Sequence, residues 1–448
     1  MVTGIFSFIA VIFISGGKDV LWNSIALGGL MVLFWLFEII PIYVTALFPF
    51  VFGIPLGVLD AVDLTSAYGH KYIYLFFGGF VLSLALEKWN VHTQIAERII
   101  EVTGTSRSRI VLGFLLSTGL LSMWISNTAT ALMMLPIATA IISNTKSTKK
   151  SKFPIFLLLS VAYGSSIGGM ATLVGSPPNI QMAGILEKNY QIEIGFLDWM
   201  KFGLPLAIIL LLAVFGFFYF LMGKERHEKL EEVVSERQKW TSNQLRVMFL
   251  FLAIVLLWSF RVPINNLTGL NYTDEGAAVF GAILLFFIPS DTKKPLLDWK
   301  DTRKLSWGIL ILFGGGMALA NMLQENGVID LLSKTFESFS GESLVVILTV
   351  LVVIAIYGTE LMSNLALVAV FVPIVADFAM KTDFSIIQLC IPITLAASCA
   401  FMLPVGTPPN AIVFSSGKLT INQMAKTGFV LNLIAVVLIV IYALLFIH

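Results

Sequence analysis

The chain has 448 residues, of which 57% are hydrophobic and only 12% charged, and its mean hydropathy is +0.91. A soluble domain carries roughly 25% charged residues, so composition excludes one and marks a membrane protein. A net charge of +1 argues against a nucleic-acid partner, and the two cysteines, Cys390 and Cys399, form no CxxC and no disulfide framework.

A spanning helix needs about 20 apolar residues. In chain order, apolar runs of this kind lie near 2–16, 20–38, 41–58, 72–88, 154–172, 201–222, 242–260, 275–290, 307–324, 385–402 and 426–447. The first follows Met1 with no basic region and no small-residue cleavage site, and so reads as a span rather than a signal peptide. Two further regions, 107–143 and 342–379, are apolar but broken midway by Ser126-Asn127 and Ser363-Asn364. Both are shorter than two full spans plus a turn, which predicts re-entrant helical hairpins whose tips stop inside the membrane. Irregular backbone at that depth requires surrounding protein or a watery cavity. Residues 91–102 and 326–337 read as matched amphipathic helices along the interface. The mixed-charge segment 223–239 reads as a solvated or interfacial helix between the halves, or more simply as a linker. The expected fold is an all-α polytopic membrane protein of about eleven transmembrane helices and two re-entrant hairpins.

The same unusual order occurs twice. Ser126-Asn127-Thr128 is followed by Pro136 and then Gly175-Ser176-Pro177-Pro178-Asn179; Ser363-Asn364-Leu365 is followed by Pro373 and then Gly406-Thr407-Pro408-Pro409-Asn410. The Ser-Asn motifs are 237 residues apart, the Gly-x-Pro-Pro-Asn motifs 231, and Phe77-Gly78-Gly79 matches Phe313-Gly314-Gly315 at 236. Pro-Pro removes two amide donors and ends a helix, and Gly permits the turn. Loop charges show that the repeats are inverted. With a cytoplasmic N-terminus, 21 of the 28 Lys and Arg residues fall on the cytoplasmic side and seven outside, with the C-terminus outside. The first hairpin exits into Lys146, Lys149, Lys150 and Lys152, its counterpart only into Lys381. Paired broken segments in inverted halves are the sequence sign of a secondary-transporter site at a repeat interface.

That count leaves no Lys or Arg for the membrane interior. The site must therefore be built from hydroxyls, Asn amides and helix N-termini, which suit either a carboxylate or a small cation. The competing reading makes Ser and Asn interhelical glue and the prolines kinks. One break would fit that; four in matched order fit it poorly. Glu360, an acid at membrane depth, is a functional candidate as proton carrier, cation ligand or anchor of the hairpin tip, the last being favoured. Glu38 and Asp377 are expected at helix ends. The histidines (70, 92, 227 and 448) show no HExxH or metal-ligand spacing, and no Walker or GxSxG element suggests an enzyme.

With Glu38-x-x-Pro41, Thr45-Ala46-Leu47-x-Pro49, both Ser-Asn motifs and both Gly-x-Pro-Pro-Asn segments, the chain resembles the divalent anion/Na⁺ symporter (DASS) family of di- and tricarboxylate transporters. The resemblance covers most of the chain. It implies a homodimer with elevator-type alternating access. The scaffold would comprise 1–105 and 242–341. The moving transport domain would comprise 106–222, with a broken helix over 154–188, and 342–448, with a broken helix over 385–417. Residues 223–241 would form a cytoplasmic linker. It implies that Ser126, Asn127, Thr128, Ser363 and Asn364 bind substrate carboxylates, and that Ser176, Pro177, Thr407 and Pro408 close the site. One Na⁺ site would fall on Ser122, Ser126, Asn127 and Gly175, the other on Thr359, Met362, Asn364 and Gly406.

The chain departs from the family at Leu365, where Thr is usual. A facing polar group left dry and unpaired there would cost roughly 1–3 kcal/mol, so the second half-site is expected to be rearranged or more apolar. The expected function is transport of C4–C5 dicarboxylates (succinate, malate, fumarate, 2-oxoglutarate) across the cell membrane, with no cofactor. Leu365 tilts the expectation toward dicarboxylate exchange. The alternatives are Na⁺-coupled symport, a carrier for citrate, sulfate or another inorganic anion, and a channel.

Overall fold

A computed structural model describes residues 19–145, 151–230, 239–334 and 341–447, and among these no β-strand forms. The expected first span 2–16, Lys146, Lys149, Lys150, residues 231–238 of the linker, the end of the second amphipathic segment and His448 lie outside the described residues.

In the first half the helices are α1 (Val20–Leu36), α2 (Ile42–Thr45), α3 (Ala61–Tyr68), α4 (Lys71–Lys88), α5 (Val91–Thr103), α6 (Arg107–Ser122), α7 (Asn127–Asn144), α8 (Phe153–Gly169), α9 (Pro177–Tyr190) and α10 (Phe196–Leu221). The second half continues with α11 (Ser242–Ser259), α12 (Arg261–Thr268), α13 (Asp274–Phe287), α14 (Trp307–Glu325), α15 (Val328–Ser333), α16 (Leu344–Thr359), α17 (Asn364–Met380), α18 (Ile386–Ala396), α19 (Pro408–Ser415) and α20 (Ile421–Phe446). Among the described residues five helical stretches are long and apolar enough to cross a membrane: Ala61–Lys88, α10, α11, α14 and α20. Polar caps set several boundaries. Asp19 accepts from Leu21 N and Trp22 N to start α1, and reciprocal Thr-Gln capping boxes start α11 and α20.

Both expected hairpins form, α6–α7 and α16–α17, each turning over four residues, 123–126 and 360–363. Glycine allows the tightest packing. A Cβ on Gly168 of α8 would overlap the backbone of Gly119 on α6, so these helices meet main chain to main chain. The halves interlock reciprocally: α9 packs on α17 of the other half, and α19 on α7.

Two expectations on elements are corrected. Residues 41–58 are not one span: α2 stops at Thr45, and a π-helical turn, Pro49–Gly53, follows. Pro49 has no N–H to give the carbonyl four residues back, which favours an interruption there. The run 385–402 ends as a helix at Ala396, and the chain is turn and irregular from there to Thr407. The described part of 223–239, more simply read as a linker, holds a 3-10 turn, Gly223–His227. Two helices, α3 and α12, were not expected. α3 carries Asp63, Thr65 and Ser66, which dilute its hydropathy, and an Asp60–Asp63 capping box starts it.

Candidate functional site

The two hairpin tips are built alike. Ser126 and Ser363 are the N-cap residues of α7 and α17, in extended conformation (φ −55°, ψ 142° and φ −56°, ψ 133°). Ser126 Oγ accepts from Ala129 N at 3.3 Å; Ser363 makes no side-chain cap bond. Ser122 Oγ donates to Asn127 Oδ1 at 2.6 Å, and Thr359 Oγ1 donates to Asn364 Oδ1 at 2.6 Å. Each bond spans the turn and fixes the amide plane at the head of the next helix. The first amides of α7 and α17 have no intrahelical acceptor, so both tips present N–H groups and the positive end of a helix dipole.

The helix breaks are matched as closely. Asn179 Nδ2 donates to Gly169 O (3.0 Å) and Thr172 O (2.8 Å); Asn410 Nδ2 donates to Ala400 O (2.9 Å) and Leu403 O (3.0 Å). The Asn of each Gly-x-Pro-Pro-Asn thus satisfies carbonyls that the interrupted helix leaves without partners. The prolines stand at the first two helical positions of α9 and α19, where their missing N–H is no loss.

Tip and break are tied together in both halves, by different chemistry. In the first half Thr172 Oγ1 donates to Met123 O at 2.5 Å. In the second, Glu360 accepts from Met402 N (2.7 Å), Leu403 N (3.0 Å) and Asn432 Nδ2 of α20 (2.9 Å). Of the roles weighed for Glu360, this geometry fits the anchor. Tyr163 of α8 joins the halves by donating to Phe401 O at 2.7 Å.

All four motif segments face one cavity of about 930 Å³, within the roughly 300–1,000 Å³ usual for small-molecule sites. Ser126, Asn127, Thr128, Gly175, Ser176 and Pro177 line it from one half, and Met362, Ser363, Asn364, Leu365, Gly406, Thr407 and Pro408 from the other. Ser122 and Thr359 do not reach it; they sit behind the Asn residues they bond. No Lys, Arg or His lines it among the described residues. Leu365 is buried in the first turn of α17 and leaves the Thr359–Asn364 bond intact, so the second half-site is more apolar, not rearranged.

The opposite wall was missed by sequence reasoning. Trp35, Glu38, Tyr43, Phe80, Ile309 and Leu312 form it, from the end of α1, α2, α4 and the start of α14. Glu38, expected at a helix end, does follow α1, with φ of 43° in the left-handed region, but it also lines the cavity. The Glu38-x-x-Pro41 signature was the available signal. Asp377 lies near the end of its hairpin arm, as expected, and pairs with Lys381 at 2.7 Å. Oxygen ligands, amide N–H groups and helix N-termini in one cavity without a basic side chain can hold an anion beside hard cations.

Comparison with known proteins agrees with that chemistry. The citrate transporter family matches residues 32–386. The sodium-dependent dicarboxylate transporter SdcS of Staphylococcus saprophyticus is 39% identical over 427 residues, covering 91% of this chain and 82% of that protein. SdcS of Staphylococcus aureus (strain USA300) is 38% identical over 430 residues, with the same coverage. Among solved structures, the Alcanivorax borkumensis YdaH transporter superposes with a TM-score of 0.60 at 11% identity, covering 86% of this chain and 89% of that one. At such identity the likeness concerns the fold alone.

Proposed function

The chain belongs to the divalent anion/Na⁺ symporter family of di- and tricarboxylate transporters, and from that premise we propose that it carries C4–C5 dicarboxylates together with Na⁺. It is a multi-pass membrane transporter and not an enzyme. One observation carries the coupling: the same hydroxyl-to-amide bond, 2.6 Å in each half, at the head of a helix facing a cavity without a basic side chain. A dianion there meets dipoles, neutral donors and the Glu38 carboxylate, but no basic side chain. Bound cations offset its desolvation, and the oxygens beside each Asn suit a hard cation. In this reading Ser122, Ser126, Asn127 and Gly175 hold one Na⁺, and Thr359, Met362, Asn364 and Gly406 the other. Ser126, Asn127 and Thr128 with Ser363 and Asn364 bind the carboxylates, and Ser176, Pro177, Thr407 and Pro408 close over them.

The expected lean toward exchange finds no support. It rested on Leu365, which disturbs neither matched bond, and the relatives above are named for sodium dependence. The reading also takes α6–α10 and α16–α20 as a transport domain moving against the remaining helices in a homodimer. The reciprocal packing of α9 on α17 and α19 on α7 supports one moving body.

Purified protein in liposomes tests this with radiolabelled succinate. An inward Na⁺ gradient should drive uptake into empty vesicles, and Asn127→Ala or Asn364→Ala should abolish it. Uptake that needs internal dicarboxylate and ignores Na⁺ would overturn the coupling. Uptake of sulfate but not succinate would overturn the substrate class.

A further inference from the structure

The two halves also differ where each hairpin tip meets its helix break. Position 123 of the first tip corresponds to 360 of the second, and positions 169, 172 and 175 of the first break correspond to 400, 403 and 406 of the second. A Cβ built on Gly175 would stand 3.1 Å from Met123 O and 3.1 Å from Thr172 Oγ1. A Cβ built on Gly406 would stand 3.0 Å from Glu360 Oε2 and 3.4 Å from Leu403 O. Beside the glycine of the first break the tip thus supplies a neutral carbonyl. Beside the glycine of the second it supplies a carboxylate oxygen.

Glu360 is buried, and its partners Met402 N, Leu403 N and Asn432 Nδ2 are all neutral donors. Three donors and no acceptor suit a carboxylate that accepts only. No Lys or Arg pairs with it among the described residues. A buried carboxylate without a counter-charge costs several kcal/mol, whereas a cation within a few ångströms turns that cost into attraction. We infer that Glu360 is the fixed counter-charge of the Thr359–Met362–Asn364–Gly406 cation site, positioning the break through its N–H bonds and raising that site's Na⁺ affinity above that of the first-half site. It acts as a positioning residue behind the ligands. The inference rests on the Na⁺-coupled reading above.

The test is Na⁺-dependent thermal stabilisation of the purified protein, with choline chloride holding ionic strength constant. Ligand that binds only the folded state raises the melting temperature, so the Na⁺ concentration of the midpoint reports affinity without requiring transport. Glu360→Gln keeps the side chain's size and removes the charge. Its midpoint should move upward by roughly tenfold, the factor that about 1.4 kcal/mol represents. Should that variant not fold, Glu360→Asp retains the charge one methylene further away and should raise the midpoint by roughly threefold. Wild-type midpoints in the Gln variant, or in the Asp variant where only that one folds, overturn the inference while leaving Na⁺ coupling in place. Absence of any Na⁺ effect in the wild-type protein overturns both.

Discussion

Thr128 and Leu365 occupy equivalent positions in the first turns of α7 and α17, and both line the cavity. Only the first brings a hydroxyl. A hydrogen bond to a charged group contributes roughly 1.5–3 kcal/mol, less the apolar burial given up, so Leu365→Thr should lower the half-saturating succinate concentration by roughly three- to tenfold. Initial-rate uptake at saturating Na⁺ measures this. An unchanged value would mean that no carboxylate comes within reach of residue 365. The motif residues themselves were legible in the sequence, because Ser, Asn, Gly and Pro-Pro stand out against apolar surroundings. Their partners were not. Glu360 bonds Met402, Leu403 and Asn432 across 42 to 72 residues of chain, and only the packed turn brings them together.

Elements were legible where breaking residues mark them. Pro177 and Pro408 begin α9 and α19, and the hairpins turn at the two Ser-Asn motifs. α3 was missed because Asp63, Thr65 and Ser66 interrupt its apolar pattern, and the π-helical turn at Pro49–Gly53 because periodicity does not register a local widening of the helix. Helix approach was likewise hidden, since glycines are common in apolar runs. Only contact distinguishes Gly168, whose Cβ would meet the Gly119 backbone, from Gly29, which has nothing within 4 Å. Neither neighbour of Gly168 is a flexible side chain, so α6 and α8 must separate to admit a methyl. Overpacking of this kind costs roughly 1–3 kcal/mol. Gly168→Ala should therefore lower the melting temperature in detergent by several degrees, while Gly29→Ala should not. Equal stability of the two variants would show that the α6–α8 contact yields freely.

Across the whole molecule the inverted repeat is symmetric in its bonds and asymmetric in its exposure. Val174 beside the first Gly-x-Pro-Pro-Asn and Val405 beside the second both line the cavity, but Val174, packed against α4, is 8% exposed and Val405 81%. The cavity wall also takes in the end of α1 and the start of α14. Under the orientation expected from the excess of Lys and Arg both would lie at the cytoplasmic face, and on that reading this conformation should be the inward-open arm of the cycle. Val405→Cys should then react with a membrane-impermeant maleimide in inside-out vesicles, and Na⁺ with succinate should protect it. Val174→Cys should stay unlabelled under the same conditions. Background is low by construction, since Cys390 and Cys399 are both fully buried. Labelling of residue 405 only in right-side-out vesicles would reverse the assigned orientation or the conformational assignment, and adding Na⁺ alone separates the two: a reversed orientation keeps its accessible face, whereas an exchanging conformation changes its labelling rate.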